Sequence, residues 1–122
     1  MNAASLSHCK RRKVGAVLVR GGNILSFGFN GTPSGMPNDC EDCEGQTHWH
    51  TLHAEANAIL KCAKEGRQTQ DAIMYVTCSP CPDCLKLILQ AGIKQVYYKE
   101  EYSKMEHLDM FTGHVEIVKH GK

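Results

Sequence analysis

The sequence predicts a single α/β domain built on a mixed β-sheet, and three observations support this. The chain has 122 residues, which at roughly 100–200 residues per domain corresponds to one domain, residues 1–122. Short apolar segments that suit strands alternate with segments of helix-forming residues. This alternation follows an opening pair of strands joined by a glycine turn, so antiparallel and parallel strand pairs are both expected.

The first half of the chain is predicted to contain a hairpin, a long loop and a helix. Residues 14–20 (VGAVLVR) and 24–30 (ILSFGFN) are predicted strands joined by the turn GGN. Residues 31–50 are rich in glycine, proline, asparagine and aspartate and have no apolar period, which predicts a functional or tethered loop. Residues 53–65 are good helix formers, and Gly66 ends that helix.

The second half is predicted to add three strands and one helix. Residues 72–77 (AIMYVT) and 93–98 are apolar enough for strands, and residues 115–118 predict a short strand at the edge. Residues 82–91 lie between the first two of these segments. They predict a helix that begins with a proline in its first turn and ends before Gly92.

The overall composition disfavours several classes of protein. The chain is 42% hydrophobic and 22% charged with a formal net charge of +1, which suits a globular protein and not one that wraps long nucleic acid by bulk charge. No apolar run approaches the ~20 residues of a membrane helix, and residues 1–13 do not resemble a signal peptide. We therefore expect neither a membrane nor a nucleic-acid partner.

Cysteine and histidine are the unusual part of the composition. The chain has seven of each, and an odd number of cysteines without a leader disfavours a secreted disulfide framework. A reducing, cytoplasmic location and a bound metal are the predictions that follow.

Two segments carry the residues expected to bind that metal. Each opens a predicted helix: one begins at His53, and in the other Cys81 caps the helix while Cys84 lies in its first turn. The spacing of the two cysteines brings both sulfurs to one side, and a helix N-terminus favours the thiolate form. Two thiolates and one imidazole are three zinc ligands, which is the open pattern of a catalytic site.

Glu55 decides between a catalytic and a structural zinc site. It lies two positions after His53 and can carry protons beside a zinc-bound water, whose pKa falls to about 7. Such a carboxylate can protonate a ring nitrogen and then the departing amine, which is hydrolytic deamination. The spacing is the H-x-E…P-C-x-x-C signature of zinc deaminases. The alternative is a closed structural site with a fourth ligand such as Cys78, which leaves Glu55 without a role.

Further segments resemble the deoxycytidylate (dCMP) deaminases of the cytidine/deoxycytidylate deaminase superfamily. They are KVGAV at 13–17, GFNGTPSG at 28–35, PNDCED at 37–42 and MYVTCSPC at 74–81, and the similarity extends over about residues 9–102. The resemblance implies a cytidine-deaminase-like three-layer α/β/α fold with a mixed sheet of about five strands. It also implies conversion of dCMP to dUMP and ammonia, with zinc held by His53, Cys81 and Cys84 and protons carried by Glu55.

The resemblance also implies contacts to the substrate. The backbone of Ala54 would meet the pyrimidine carbonyl, Asn30 would bind the nucleoside, the segment that ends at Ser79 would border the base, and Tyr102 would reach the phosphate side. Asn30 has an alternative role as a turn residue, and Tyr102 as a half-buried surface aromatic.

Cations for the phosphate are expected in the basic run at residues 10–13. Arg11 or Lys13 is a candidate for this contact, and the alternative for such a run is a solvated face.

Regulation and assembly are implied in the same way. The family is commonly a homohexamer that dCTP activates and dTTP inhibits, and Mg²⁺ would accompany such a triphosphate effector. Residues 31–42 resemble the effector-binding region, and Lys61 and Lys64 could add contacts. The alternative for these two lysines is ordinary solvated helix surface.

A second, structural zinc is a further hypothesis. Its candidate ligands have zinc-like spacing and would tie down the long loop; they are Cys9, Cys40, Cys43, His48 and His50. The alternative is free thiols and histidines at the mouth of the cleft. Cys62 and Cys78 are predicted to be small buried hydrophobic residues.

Two other functions compete with dCMP deamination. One is deamination of free cytidine, of tRNA adenosine or of single-stranded DNA; the polynucleotide versions need a basic groove with aromatic platforms, whereas Trp49 is the one tryptophan here. The other is a non-catalytic binding module that zinc stabilises.

Overall fold

The structure is a computed structural model that describes residues 14–31, 52–101, 110–111 and 113–120. Within these ranges the chain forms five strands and two helices. In chain order they are β1 (Gly15–Arg20), β2 (Asn23–Phe29), α1 (Ala54–Glu65), β3 (Ile73–Cys78), α2 (Pro82–Gln90), β4 (Gln95–Glu100) and β5 (Glu116–Lys119).

The five strands form one mixed sheet in the order β2-β1-β3-β4-β5. Strand β1 pairs antiparallel with both β2 and β3, whereas β3–β4 and β4–β5 are parallel pairs. The hairpin turn consists of Gly21 and Gly22. Their φ angles of 57° and 81° suit a two-residue turn in which both residues adopt the left-handed backbone conformation. The predicted α/β class with a mixed five-stranded sheet is confirmed.

Both described helices pack against the same face of the sheet. Strand residues such as Leu18, Met74 and Val96 are fully buried there, because side chains alternate between the two faces of a strand. Helix α1 adds three buried positions, and α2 adds Leu85 and Ile88 to the same core. The helices that the three-layer prediction requires on the opposite face are not among the described residues.

The carboxyl ends of β2 and β3 lie at the same end of the sheet, and the chain continues from there toward the starts of the two helices. Both strands are antiparallel to β1, so they run in the same direction. A bridge between Gly31 and Leu52 joins the end of β2 to the start of α1, with Gly31 N–H donating to the Leu52 carbonyl at 3.0 Å. The interior of the predicted 31–50 loop lies outside the described residues.

Small residues on β2 let α1 pack directly against the strand. A Cβ atom at Gly28 would lie 2.6 Å from both the Ala54 carbonyl oxygen and the Ala58 backbone nitrogen. Ser26, two residues earlier, donates a hydrogen bond of 2.7 Å from its hydroxyl to the Ala58 carbonyl. This close approach places the first turn of α1 beside the end of β2.

Gly28→Ala is expected to lower the free energy of unfolding by about 1–3 kcal/mol, since overpacking against backbone atoms cannot be relieved by side-chain rotation. Urea unfolding followed by circular dichroism measures the change. Gly113→Ala is the matched control, because a Cβ there would meet nothing within 4 Å. Equal unfolding midpoints for the two variants would contradict the close packing of α1 on β2.

Candidate metal centre and active site

His53 and Cys81 occupy equivalent positions, each as the N-cap of a helix. His53 precedes α1 with φ −71° and ψ 154°, and Cys81 precedes α2 with φ −76° and ψ 168°. Neither side chain makes a capping hydrogen bond to its own helix. Instead, the His53 Nδ1 atom and the Cys81 sulfur approach each other to 3.5 Å, at the positive ends of two helix dipoles.

The three predicted metal ligands form one cluster. The Nδ1 atom of His53 lies 3.5 Å from the Cys81 sulfur and 3.2 Å from the Cys84 sulfur, and all three donor atoms lie within 4.8 Å of one another. Tetrahedral zinc with ordinary Zn–S and Zn–N bonds needs a nitrogen-to-sulfur separation of about 3.6 Å. The donor set and its spacing both fit zinc.

No fourth ligand joins this cluster from the described ranges. Cys78 is 5% exposed and packs in the interior, and the group of donors consists of the three predicted residues alone among those described. Cys62 is fully buried and lies 3.4 Å from the Ser26 hydroxyl. Both cysteines are buried, as predicted, and the closed site with Cys78 is not what this part of the structure shows.

The electrostatics of the cluster favour negative charge on Cys81. A hydrogen bond from Cys84, together with one from His53, lowers the pKa of Cys81 to about 4. The same shared proton, together with burial, raises the pKa of Cys84. The hydrogen bond to Cys81 also raises the pKa of His53. One thiolate is thus stabilised by its neighbours, and a cation at the centre would favour the second.

Glu55 faces this cluster from the first turn of α1. Its side chain is only 5% exposed, and burial raises its pKa to about 7 despite partial compensation by hydrogen bonds from its own backbone N–H and from Cys84. A carboxyl group with a pKa near neutrality can both accept and release a proton. Glu55 is therefore positioned beside the three donors without being part of that group.

Three of the predicted substrate residues lie at the same end of the sheet as the cluster. Ala54 is the first residue of α1 and is fully buried. Ser79 follows β3, is 3% exposed, and donates its backbone N–H to the Glu100 carbonyl at 2.8 Å. Asn30 follows β2, and its Oδ1 accepts a 3.0 Å hydrogen bond from the Val14 N–H, so this side chain has a structural role at the start of β1.

Other predicted residues lie outside the described ranges. They are Tyr102, the phosphate candidates Arg11 and Lys13, the effector segment beyond Gly31, and the proposed second zinc ligands Cys9, Cys40, Cys43, His48 and His50.

The two lysines predicted as effector contacts lie on α1. The ammonium group of Lys61 donates to the Phe27 carbonyl at 3.1 Å and lies over two aromatic rings of β2. Lys64 lies exposed in the last turn of α1.

One residue near the site has no counterpart in the sequence-based expectations. Asn57 lies one helical turn after His53, and its Nδ2 donates to the Phe29 carbonyl at 2.8 Å. Its position four residues after a predicted ligand, on the same helix face, is the signal that points to it.

The described helices are also too short or too polar to traverse a bilayer: within the ranges given above, none meets the length and apolarity of a membrane span.

Comparison with known proteins identifies the family. The family model described as "Cytidine and deoxycytidylate deaminase zinc-binding region" matches residues 1–100. The deoxycytidylate deaminase of Enterobacteria phage T4 is 35% identical over 80% of this chain and 72% of its own. That of Mycobacterium phage D29 is 38% identical over 81% of this chain and 87% of its own.

A solved structure has the same fold. The dCMP deaminase of cyanophage S-TIM5, crystallised in complex with dCMP and dUMP, superimposes with a TM-score of 0.90. It is 46% identical, and the match covers 96% of this chain and 88% of that one. The sequence matches and the fold therefore agree, and the chain belongs to the cytidine and deoxycytidylate deaminases.

Proposed function

We propose that the protein hydrolyses dCMP to dUMP and ammonia at the cluster formed by His53, Cys81 and Cys84. The observation that carries this proposal is a buried carboxyl group, Glu55, placed beside three zinc-type donors. The substrate is supported by relatives named deoxycytidylate deaminase and by the similar S-TIM5 enzyme, whose crystals contain dCMP and dUMP.

The residues of the cluster would hold the metal. The imidazole Nδ1 of His53 and the two sulfurs would be its ligands, and zinc bound there would supply a Lewis acid that makes hydroxide available at neutral pH. The buried sulfur of Cys84 and the half-buried sulfur of Cys81 bring negative charge that is offset by the two helix N-termini. Since His53 is exposed, the cluster is accessible from the His53 side.

Glu55 moves the protons of the reaction. It accepts a proton from the attacking water and gives it to the ring nitrogen next to the amino-bearing carbon, which makes that carbon electrophilic. It then transfers the second proton to the departing amine, so that water and dCMP become dUMP and ammonia. The N–H of Ala54, at the start of α1 where helix amides lack intrahelical partners, orients the pyrimidine carbonyl.

The choice of a mononucleotide over a polynucleotide rests on charge. With a formal net charge of +1, the chain lacks the bulk positive charge expected of a protein that tracks a nucleic-acid backbone.

We propose a cytoplasmic location, because two reduced cysteine ligands suit a reducing compartment.

The direct test is ammonia release from dCMP, dCTP, cytidine, deoxycytidine and adenosine in parallel reactions with the zinc-loaded protein. We expect turnover of dCMP and much slower turnover of the others, because they differ in phosphate number, sugar or base. A preference for a nucleoside without phosphate would replace the proposal with nucleoside deamination. No turnover of any substrate by zinc-loaded protein would favour the non-catalytic module.

We further propose that dCTP activates and dTTP inhibits the enzyme and that it assembles as a homohexamer. The support is the resemblance of residues 31–42 to the effector region, and the exposed Lys64 adds a cation for the effector phosphates. An effector must bind two states of the protein unequally, so dCTP is expected to shift a sigmoidal dCMP rate curve to lower substrate concentration. A hyperbolic curve that neither nucleotide changes would overturn the regulatory proposal and leave the catalytic one intact.

A further inference from the structure

The outer edge of strand β2 is capped by side chains from α1 and the residues after it. Three alternate carbonyls along this edge accept hydrogen bonds: Phe29 from Asn57 at 2.8 Å, Phe27 from Lys61 at 3.1 Å, and Leu25 from Arg67 at 2.7 Å. Such capping protects an exposed sheet edge. The three caps differ in donor group and in burial, since the Asn57 bond is partly buried and the other two are exposed, and they differ in their distance along the strand from the candidate active site.

Asn57 is the cap nearest to that site, and it connects two parts of it. Its backbone N–H donates to the carbonyl of His53 at 2.9 Å, while its side chain holds the carbonyl of Phe29. The next residue after Phe29 is Asn30, the predicted nucleoside contact. One side chain therefore joins the helix turn that carries the metal ligand to the strand end that carries Asn30.

Further hydrogen bonds extend this connection across the sheet. The Oδ1 atom of Asn30 accepts from Val14 N–H at 3.0 Å, and Gly15 N–H in turn donates to the hydroxyl of Thr77 at 3.1 Å. Thr77 lies at the end of β3, in the segment predicted to border the base. The ends of β2 and β3 and the start of β1 are thereby linked to the first turn of α1.

We propose that Asn57 is a positioning residue that sets the distance between the start of α1 and Asn30, and thereby the binding of the nucleotide. This inference rests on the proposed function. Asn57 acts through Asn30, whereas Glu55 is itself buried and Cys81 and Cys84 lie at the start of the other helix. Its loss should weaken substrate binding in the ground state and the transition state equally, which raises KM and leaves kcat nearly unchanged.

The test is steady-state kinetics of zinc-loaded Asn57→Leu with dCMP. This variant loses the hydrogen bond from Asn57 to the Phe29 carbonyl, and we expect its KM for dCMP to rise about tenfold. Arg67→Leu is the control, because it removes an exposed cap at the far end of β2, and its KM should equal that of the unchanged protein. Asn57→Asp, which keeps the shape and removes the donor, is the second variant if the leucine variant does not fold.

A double-mutant cycle separates positioning from general support of the fold. If Asn57 acts through Asn30, then Asn57→Leu should raise KM little further in a chain that already carries Asn30→Ala. Additive effects of the two substitutions on KM would overturn the inference. So would equal KM changes in Asn57→Leu and Arg67→Leu, or a drop in kcat with KM unchanged.

The two proposals fail in different ways. If the unchanged protein does not deaminate dCMP, the proposed function fails before Asn57 is tested. If it does deaminate dCMP and Asn57→Leu has the KM of the unchanged protein, the function stands and the positioning role is refuted.

Discussion

Glu55→Gln is expected to reduce the deamination of dCMP by at least about 10²–10⁴-fold, the usual contribution of a general acid–base residue. The loss should lie at the upper end or beyond, because one carboxyl group carries out several proton transfers. An amide of the same shape keeps the packing of a side chain that is 5% exposed but cannot carry a proton. Zinc should remain bound, since Glu55 is not among the three donors.

The measurement is ammonia release at saturating dCMP, with zinc per chain determined on the same sample. Glu65→Gln is the matched control: this carboxylate lies on the same helix, 3.7 Å from Arg67, and is exposed. Its activity should be unchanged. A Glu55→Gln enzyme with normal turnover would show that some other group moves the protons, and a variant without zinc would assign Glu55 to the metal site instead.

Cys84→Ala is expected to remove zinc from the cluster and abolish activity. This sulfur is 2% exposed and lies 3.2 Å from Nδ1 of His53, so water cannot easily replace it as a ligand. The remaining histidine and Cys81 offer two donors, one fewer than the usual catalytic zinc site. Zinc per chain should fall by one, and added zinc should not restore turnover.

Cys62→Ala is the control for this loss. That cysteine is fully buried and forms part of the core on α1, so its substitution should reduce stability and leave zinc content unchanged. A Cys84→Ala protein that keeps all its zinc would refute the assigned ligand set. Metal analysis of the unchanged protein also tests the second zinc: one ion per chain would exclude it.

The order and type of the elements were largely predictable because their signals are local. Helix α1 ends before Gly66, whose φ of 73° is the left-handed conformation that favours glycine, and α2 begins with the proline that the sequence places there. Strand β4 is the largest shift, observed at Gln95–Glu100 and predicted at 93–98. Ile93 is buried in the core, and its apolar side chain therefore resembles a strand residue in the sequence. Its N–H donates to the carbonyl of Ile88 near the end of α2, so Ile93 does not join the strand.

The distinction between local signals and contacts made only in the folded chain also applies to the candidate site. Spacing within one helical turn is a local property, so the sequence alone identified Cys81 and Cys84 as a pair, and His53 with Glu55 as a second group. The contact between Asn57 and Phe29 spans 28 positions, and no local pattern encodes it. It exists because the packing of α1 on Gly28 brings the helix to the edge of the sheet.

The sequence by itself therefore determined the chemistry: which donors are present, that three of them suit zinc, and that a carboxyl group accompanies them. Only the tertiary structure decided that the two groups meet, that Nδ1 is the ring nitrogen facing the sulfurs, and that Glu55 is buried with a pKa of about 7. The physical reason is the sheet. Since β1 lies antiparallel between β2 and β3, the two strands that flank it finish at the same end of the sheet, and burial of a shared apolar face holds the two helix starts together there.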